Sequence, residues 1–223
     1  MYDNNLSQQE LTVGVMNFKR ARSEEQRQLR ITQFLDTAAM LYEEEGYDKV
    51  SLTQISKVLN FHRNNVYNYF NCKEDLFLAL LLRDLNEAIA DAINTFNTNM
   101  QAEEFASDMT KLLLRHQRLL DLFALANTTM LTAASPYAHK YFINEVKNIQ
   151  DKLVQHLDEN NILDISNEKI IALFRDINHF ATGIYPSTIE YKERHHIPCY
   201  PDLGYGNINF QSIVKRFIKE IAI

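Results

Sequence analysis

The chain has 223 residues, 46% of them hydrophobic, and a formal net charge of −6. That is apolar material enough for one large or two small cores, yet no apolar run reaches the roughly 20 residues of a bilayer span, so no membrane segment is expected. Five Gly and four Pro leave few turns, and no long alternating Val/Ile/Thr run marks a sheet, so composition predicts an all-α protein.

Residues 1–22 read as a mobile basic arm. Met1 is followed by acidic and amide residues, which is not the pattern of a signal peptide. Cys72 and Cys199 make no disulfide framework, and a reducing cytoplasm is the simplest setting. Lys19, Arg20 and Arg22 close the arm, with Arg27 and Arg30 beyond them. From 27 to 45, Ile31, Phe34, Leu35, Ala38, Leu41 and Tyr42 fall on one helical stripe. Gly46 should end that helix as a C-cap. Its acidic end holds Glu43, Glu44 and Glu45, followed by Asp48.

Ser51-x-x-Gln54 is a capping box opening a short helix in which Leu52, Ile55, Val58 and Leu59 recur at helical spacing, so one side of it should be buried. Asn60 stands where a turn needs a left-handed residue, and Phe61 should plug that turn into the core. A second short helix, roughly Arg63 to Tyr69, buries Val66 and Phe70 and leaves Arg63, Asn64, Asn65 and Asn68 outward. Asn71-x-x-Glu74 reads as another capping box, starting a helix at Cys72. Two short helices joined by a tight turn, backed by a longer one, form the layout of a helix-turn-helix reader of the DNA major groove.

The residues Arg27-x-x-x-Ile31, Ala38-Ala39, Leu41-Tyr42, Glu45-Gly46-Tyr47, Ser51-Leu52, Ile55-Ser56, Val66-Tyr67-Asn68-Tyr69-Phe70 and Cys72-Lys73-Glu74 carry a resemblance. Over roughly 19–82 the chain resembles the amino-terminal domain of the tetracycline-repressor-like (TetR/AcrR) transcriptional regulators. One stretch departs from the pattern. The family commonly has Ala-Gly-Val-Ser in the turn, where this chain has Leu59-Asn60-Phe61-His62. The resemblance implies a three-helix DNA-binding domain over 23–73 and a helical effector-binding and dimerisation domain over 74–223. It also implies phosphate contacts by Tyr67 and Lys73. Asn reads adenine and Arg reads guanine in the major groove, so Arg63, Asn64, Asn65 and Asn68 are candidate readers, the alternative being a solvated face. His62 either caps the second helix or touches phosphate. Ser51, Thr53 and Tyr69 complete the candidate set, Tyr67 and Tyr69 having a core role as their alternative. Arg20 and Arg22 would lie along DNA, in the minor groove, or form a solvated charge cluster.

Beyond Glu74 the helical pattern continues to Phe96. Residues 103–132 give one or two helices, Tyr137–Glu159 another after Pro136, and 166–185 another, stopped by Pro186. A loop is expected over 186–206 and a last helix over 207–221. The helices at 166–184 and 207–221 have wide apolar faces, which suggests a dimer interface through Phe180, Ile184, Ile213 and Phe217. On the stripe 105–130, His116 and Asn127 interrupt apolar residues, and a buried polar group needs a partner. Phe105, His116, Phe123, Asn127, Met130 and Phe174 are therefore candidate ligand contacts, satisfied core residues being the alternative.

His195-His196-x-x-Cys199 has zinc-type donors, but a loop flanked by Pro198 and Pro201 is a poor frame and no spacing supplies a fourth ligand. No metal, cofactor or enzymatic activity is expected, since no phosphate loop, metalloprotease helix or nucleophile elbow is present. The expected function is a cytoplasmic, homodimeric, ligand-released repressor on a palindromic operator. Its partners would be double-stranded DNA, a second copy and a small apolar or amphipathic effector, with no membrane. The alternative is the same fold controlled by a protein partner without a small ligand.

Overall fold

The computed structural model describes residues 24–198 and 208–222. The arm with Arg20 and Arg22, and Cys199, lie outside these residues. In chain order the helices are α1 (Glu24–Glu45), α2 (Leu52–Val58), α3 (Arg63–Tyr67), α4 (Lys73–Thr95), α5 (Ala102–Arg115) and α6 (Gln117–Leu125). A π-helical turn, Ala126–Met130, leads to α7 (Leu131–Ala133), and α8 (Pro136–Glu159), α9 (Asn167–Ile184), α10 (Ile189–Arg194) and α11 (Phe210–Ile221) follow. Among the described residues the β structure is an isolated bridge between Thr188 and Ile208.

The chain divides into two compact units. Among the described residues, one holds those up to Leu82 with Thr128–Glu145, and the other holds Arg83–Asn127 with those from Val146 onward.

In the first unit α1, α2 and α3 surround Phe34, which is fully buried. Its ring meets Phe61 at 6.0 Å, Tyr69 at 5.1 Å and Phe70 at 6.2 Å. Gly46 ends α1 with φ 80°, a left-handed conformation that costs a residue without Cβ nothing. Ser51 caps α2, its Oγ accepting from the Gln54 amide N–H at 3.2 Å. The return half of the capping box is absent, because the Gln54 side chain donates to Glu45 at 2.7 Å instead. α2 closes in a full Schellman motif: Asn60 N–H reaches Lys57 O at 3.0 Å and Phe61 N–H reaches Ser56 O at 2.8 Å. Asn60 sits at φ 53°, as its position in the turn requires.

Three local expectations are corrected. α3 ends at Tyr67 rather than Tyr69, because Asn68 and Tyr69 turn to bring Phe70 into the core. α4 begins at Lys73, and Asp75 rather than Glu74 closes its start. Buried Asp75 accepts from the Asn71 backbone at 3.2 Å, the Asn71 amide at 3.0 Å and the Cys72 thiol at 3.2 Å. It also accepts from the Ser135 backbone at 2.8 Å and hydroxyl at 2.9 Å, which ties the start of α4 to the start of α8. Glu74 is drawn away by the Tyr47 hydroxyl at 3.1 Å. The third correction concerns 186–206. Pro186 lies in a 3-10 turn, Tyr185–Ser187, and α10 follows, capped by Thr188. Proline is compatible with the first turn of a helix, so it did not enforce a loop.

In the second unit α5 packs along α11, with Phe105 between Phe96 at 5.1 Å and Phe174 at 6.0 Å. The Arg118 guanidinium binds buried Asp84 through two nitrogens, at 2.6 and 2.8 Å. α11 starts at Phe210, because Asn209 is its N-cap and accepts from Ser212 N–H at 2.8 Å.

The α2 turn gives a direct test. A β-branched side chain is poorly tolerated in a left-handed conformation, so Asn60→Val should destabilise the protein by about 1–2 kcal/mol. Asn60→Gly should be neutral or slightly stabilising. Urea denaturation of both variants measures this, and equal midpoints would show that the turn is not strained.

Candidate nucleic-acid interface and cavity

α3 is five residues long and buries one of them, Val66, fully. Its outer face carries Arg63, Asn64 and Asn65, with Asn68 just beyond, all exposed. Arg63 leans along the helix: its Nη2 donates to Tyr67 Oη at 3.3 Å and its guanidinium lies 5.2 Å from the ring centroid. That bond, with a second from Thr53, holds the Tyr67 phenol below its usual pKa. Thr53, Arg63 and Tyr67 thus form one cluster across α2 and α3. His62 is exposed at the N-cap of α3 and makes no capping bond through its side chain.

Ser51 is exposed with its hydroxyl already serving α2. The Tyr69 ring is largely committed to Phe34. Lys73 donates to Tyr47 O at 3.1 Å and sits 4.0 Å from the centre of the Tyr47 ring. Burial, then the Glu74 carboxylate, pushes the Tyr47 phenol well above its usual range. The neighbouring Cys72 thiol is pushed by burial up to about 11, so it is a neutral donor to Asp75 at pH 7.

Residues 34–80, from the Phe34 nucleus through α3 to the first part of α4, match the sequence model of a family described as bacterial regulatory proteins, tetR family. The amino-terminal domain of this chain belongs to the tetR family. The whole fold agrees. A TetR transcriptional regulator from Rhodococcus sp. RHA1 is 17% identical, the match covering 90% of this chain and 98% of that one at a TM-score of 0.56. The fatty acid degradation regulator FadR from Bacillus halodurans is 15% identical, over 86% of this chain and 94% of that one, at a TM-score of 0.54. No curated protein sequence matches the chain. The chain thus has the fold of these regulators, and its residues 34–80 carry the tetR-family sequence pattern.

The second unit contains a cavity of about 350 Å³. Leu85, Ala88, Ile89 and Ala92 of α4 line it with Met109, Leu112 and Leu113 of α5. Leu119 and Phe123 of α6, Val146, Ile149, Gln150 and Leu153 of α8, and Ile171, Phe174, Arg175, Ile177 and Asn178 of α9 complete the wall with His116. That size and largely apolar lining suit a small organic ligand. Of the six residues singled out from sequence, His116, Phe123 and Phe174 line the cavity. Phe105 is in the core behind Phe174, Asn127 is exposed on the π-helical turn, and Met130 is buried in the first unit.

His116 stands at the break between α5 and α6, its Nε2 2.8 Å from Asp91 Oδ2. A carboxylate against Nε2 favours the tautomer that carries the proton there and leaves Nδ1 an acceptor. Sequence reasoning missed Gln150, Arg175 and Asn178. Arg175 and Asn178 lie one turn from Ile171 and Phe174 on α9, so a polar interruption of that wide apolar face was their available signal. His195 does not reach toward a metal site but pairs with buried Asp121 at 3.2 Å. His196, at φ 53°, is the left-handed residue that ends α10. Among the described residues no group of three His, Cys, Asp or Glu is placed to hold a metal ion, and no helix is long and apolar enough to cross a membrane.

The expectation that Tyr67 and Lys73 meet phosphates has a clear readout. Phosphates carry no sequence information, so Tyr67→Phe should weaken binding to unrelated duplexes equally, by about 2- to 10-fold for one lost hydrogen bond. Lys73→Ala should do the same and lower the salt slope by about one. Fluorescence anisotropy on a selected duplex and its scrambled form measures both, and a loss confined to one sequence would make Tyr67 a reader instead.

Proposed function

We propose that this protein is a cytoplasmic transcriptional repressor that binds a palindromic operator as a homodimer and is released by a small apolar or amphipathic effector. The cavity carries this reading, in a chain that also presents a tetR-family recognition helix. A packed second unit would instead have favoured control by a protein partner. An effector that lowers operator affinity about 100-fold must bind the released state about 2.7 kcal/mol better than the bound one. The cavity is equipped for a ligand with a long apolar part and one polar group. Its polar wall is His116, Gln150, Arg175 and Asn178, and all other lining side chains are apolar. One neighbour of similar fold is a regulator of fatty acid degradation, which makes a medium-chain fatty acid a reasonable first probe. No catalytic role is proposed.

The dimer reading rests on α9 and α11. Phe180 and Phe217 stack at 4.0 Å and 10°, packed against the core yet half-buried, as are Ile184 and Ile213. Apolar surface left over after the subunit has packed is what a two-fold interface needs.

Two expected outcomes follow from this reading. Phe217→Asp places an unpaired charge at the interface centre and should give monomers that bind a palindromic operator weakly. Sedimentation decides it, and a dimeric variant refutes the interface. His116→Ala should leave the dimer and its operator affinity intact while reducing release by decanoate. Operator titration with and without decanoate measures that, and unchanged release removes His116 from the effector site.

A further inference from the structure

The exposed side of α3 separates into two chemically distinct halves. Asn64, Asn65 and Asn68 are exposed, and Asn68 lies one turn beyond both of the others, so the three amides form one patch. Among the described residues no hydrogen bond engages the side-chain amide of any of the three. Each therefore offers an unspent N–H donor and carbonyl acceptor side by side, the complement of adenine N7 and N6 in the major groove. Arg63 is the one residue of this face whose chemistry would select guanine. Its guanidinium is instead drawn back along the helix onto Tyr67, through the 3.3 Å hydrogen bond and the ring contact. Thr53, at the start of α2, is near enough to the Tyr67 phenol to help lower its pKa.

We infer that α3 reads A·T pairs: each operator half-site presents at least two of them to Asn64, Asn65 and Asn68, while Arg63, with Tyr67 and Thr53, holds the backbone and selects no guanine. This rests on the assignment of the domain as DNA-binding and adds the class of sequence it prefers. A neutral reading patch also suits a chain whose net charge is −6, since discrimination then comes from hydrogen bonding rather than from the overall field.

The test is selection of duplexes from a random library by the full-length protein, repeated with Arg63→Ala, Asn64→Ala and Asn68→Ala. Wild type should return half-sites with two or more fixed A·T pairs. Arg63→Ala should return the same consensus at lower affinity. Each Asn variant should lose preference at one A·T pair, by roughly 5- to 100-fold. The selection by wild type stands even where a variant folds poorly. Half-sites fixed by G·C pairs, with relaxation at a G·C pair in Arg63→Ala, overturn the inference. Binding without any enrichment overturns it as well but leaves the DNA-binding assignment standing. Failure to bind any duplex removes both.

Discussion

The buried ring of Phe34 is the constraint on which the DNA-facing side depends. A five-residue helix cannot hold itself together in water, because nucleation costs more than a single turn returns. α3 is fixed by what it buries. Val66 and Phe70 point inward, and Phe61, Tyr69 and Phe70 contact the Phe34 ring from both ends of the helix. Anchoring at both ends sets the rotation of α3 about its axis, which in turn decides that Asn64, Asn65 and Asn68 face outward. Removing one Phe-sized group from such a nucleus costs about 3–5 kcal/mol, a large part of a typical domain's stability. Packing in the core and the direction of the candidate reading residues are one problem in this domain.

How much was legible in the sequence depended on whether the deciding interaction was local. The Asn60 turn was readable, because the need for a left-handed residue arises within five residues of chain. The same reasoning applied elsewhere would have found Asn161 and His196, which end α8 and α10 at φ 48° and 53° with the same pair of backbone bonds. With five glycines in the whole chain, Asn and His carry out this role. Capping boxes were half readable. Ser51 caps α2 as its pattern implies, but Gln54 and Glu74 were taken by Glu45 and Tyr47, which sequence spacing does not reveal. The role of Asp75 was not legible, since it depends on Ser135, 60 residues away.

The cavity follows the same division. A stripe at helical spacing correctly marks one face of α5 and α6, but that face has depth. Phe105 lies behind the cavity wall and Phe123 on it, although both belong to one periodic pattern. Distinguishing the two requires knowing where α8 and α9 pass, and Gln150, Arg175 and Asn178 come from those helices. The regular period is also broken at Ala126–Met130, where π-helical bonding shifts the register and turns Asn127 outward. Extrapolating a 3.6-residue repeat across that turn is what placed Asn127 on the buried stripe, whereas Met130 is buried as the repeat implies.

Electrostatics gives the DNA-facing side its character. Several cations near α2 and α3 are occupied within the fold. Lys73 serves Tyr47, Arg63 serves Tyr67, and Arg30 bonds Gln33 and lies 4.4 Å from the centre of the Phe61 ring. A guanidinium or ammonium so engaged keeps its charge and part of its donor set, so it can still meet a phosphate, but from a fixed position. Affinity for a polyanion then comes from a few placed contacts on a chain that is acidic overall, and long-range attraction contributes little. On the proposed reading such a surface would bind non-specific DNA weakly. On the same reading, occupancy of an operator depends on the uncharged amides of α3, and a ligand that changes how two copies present those amides would release it.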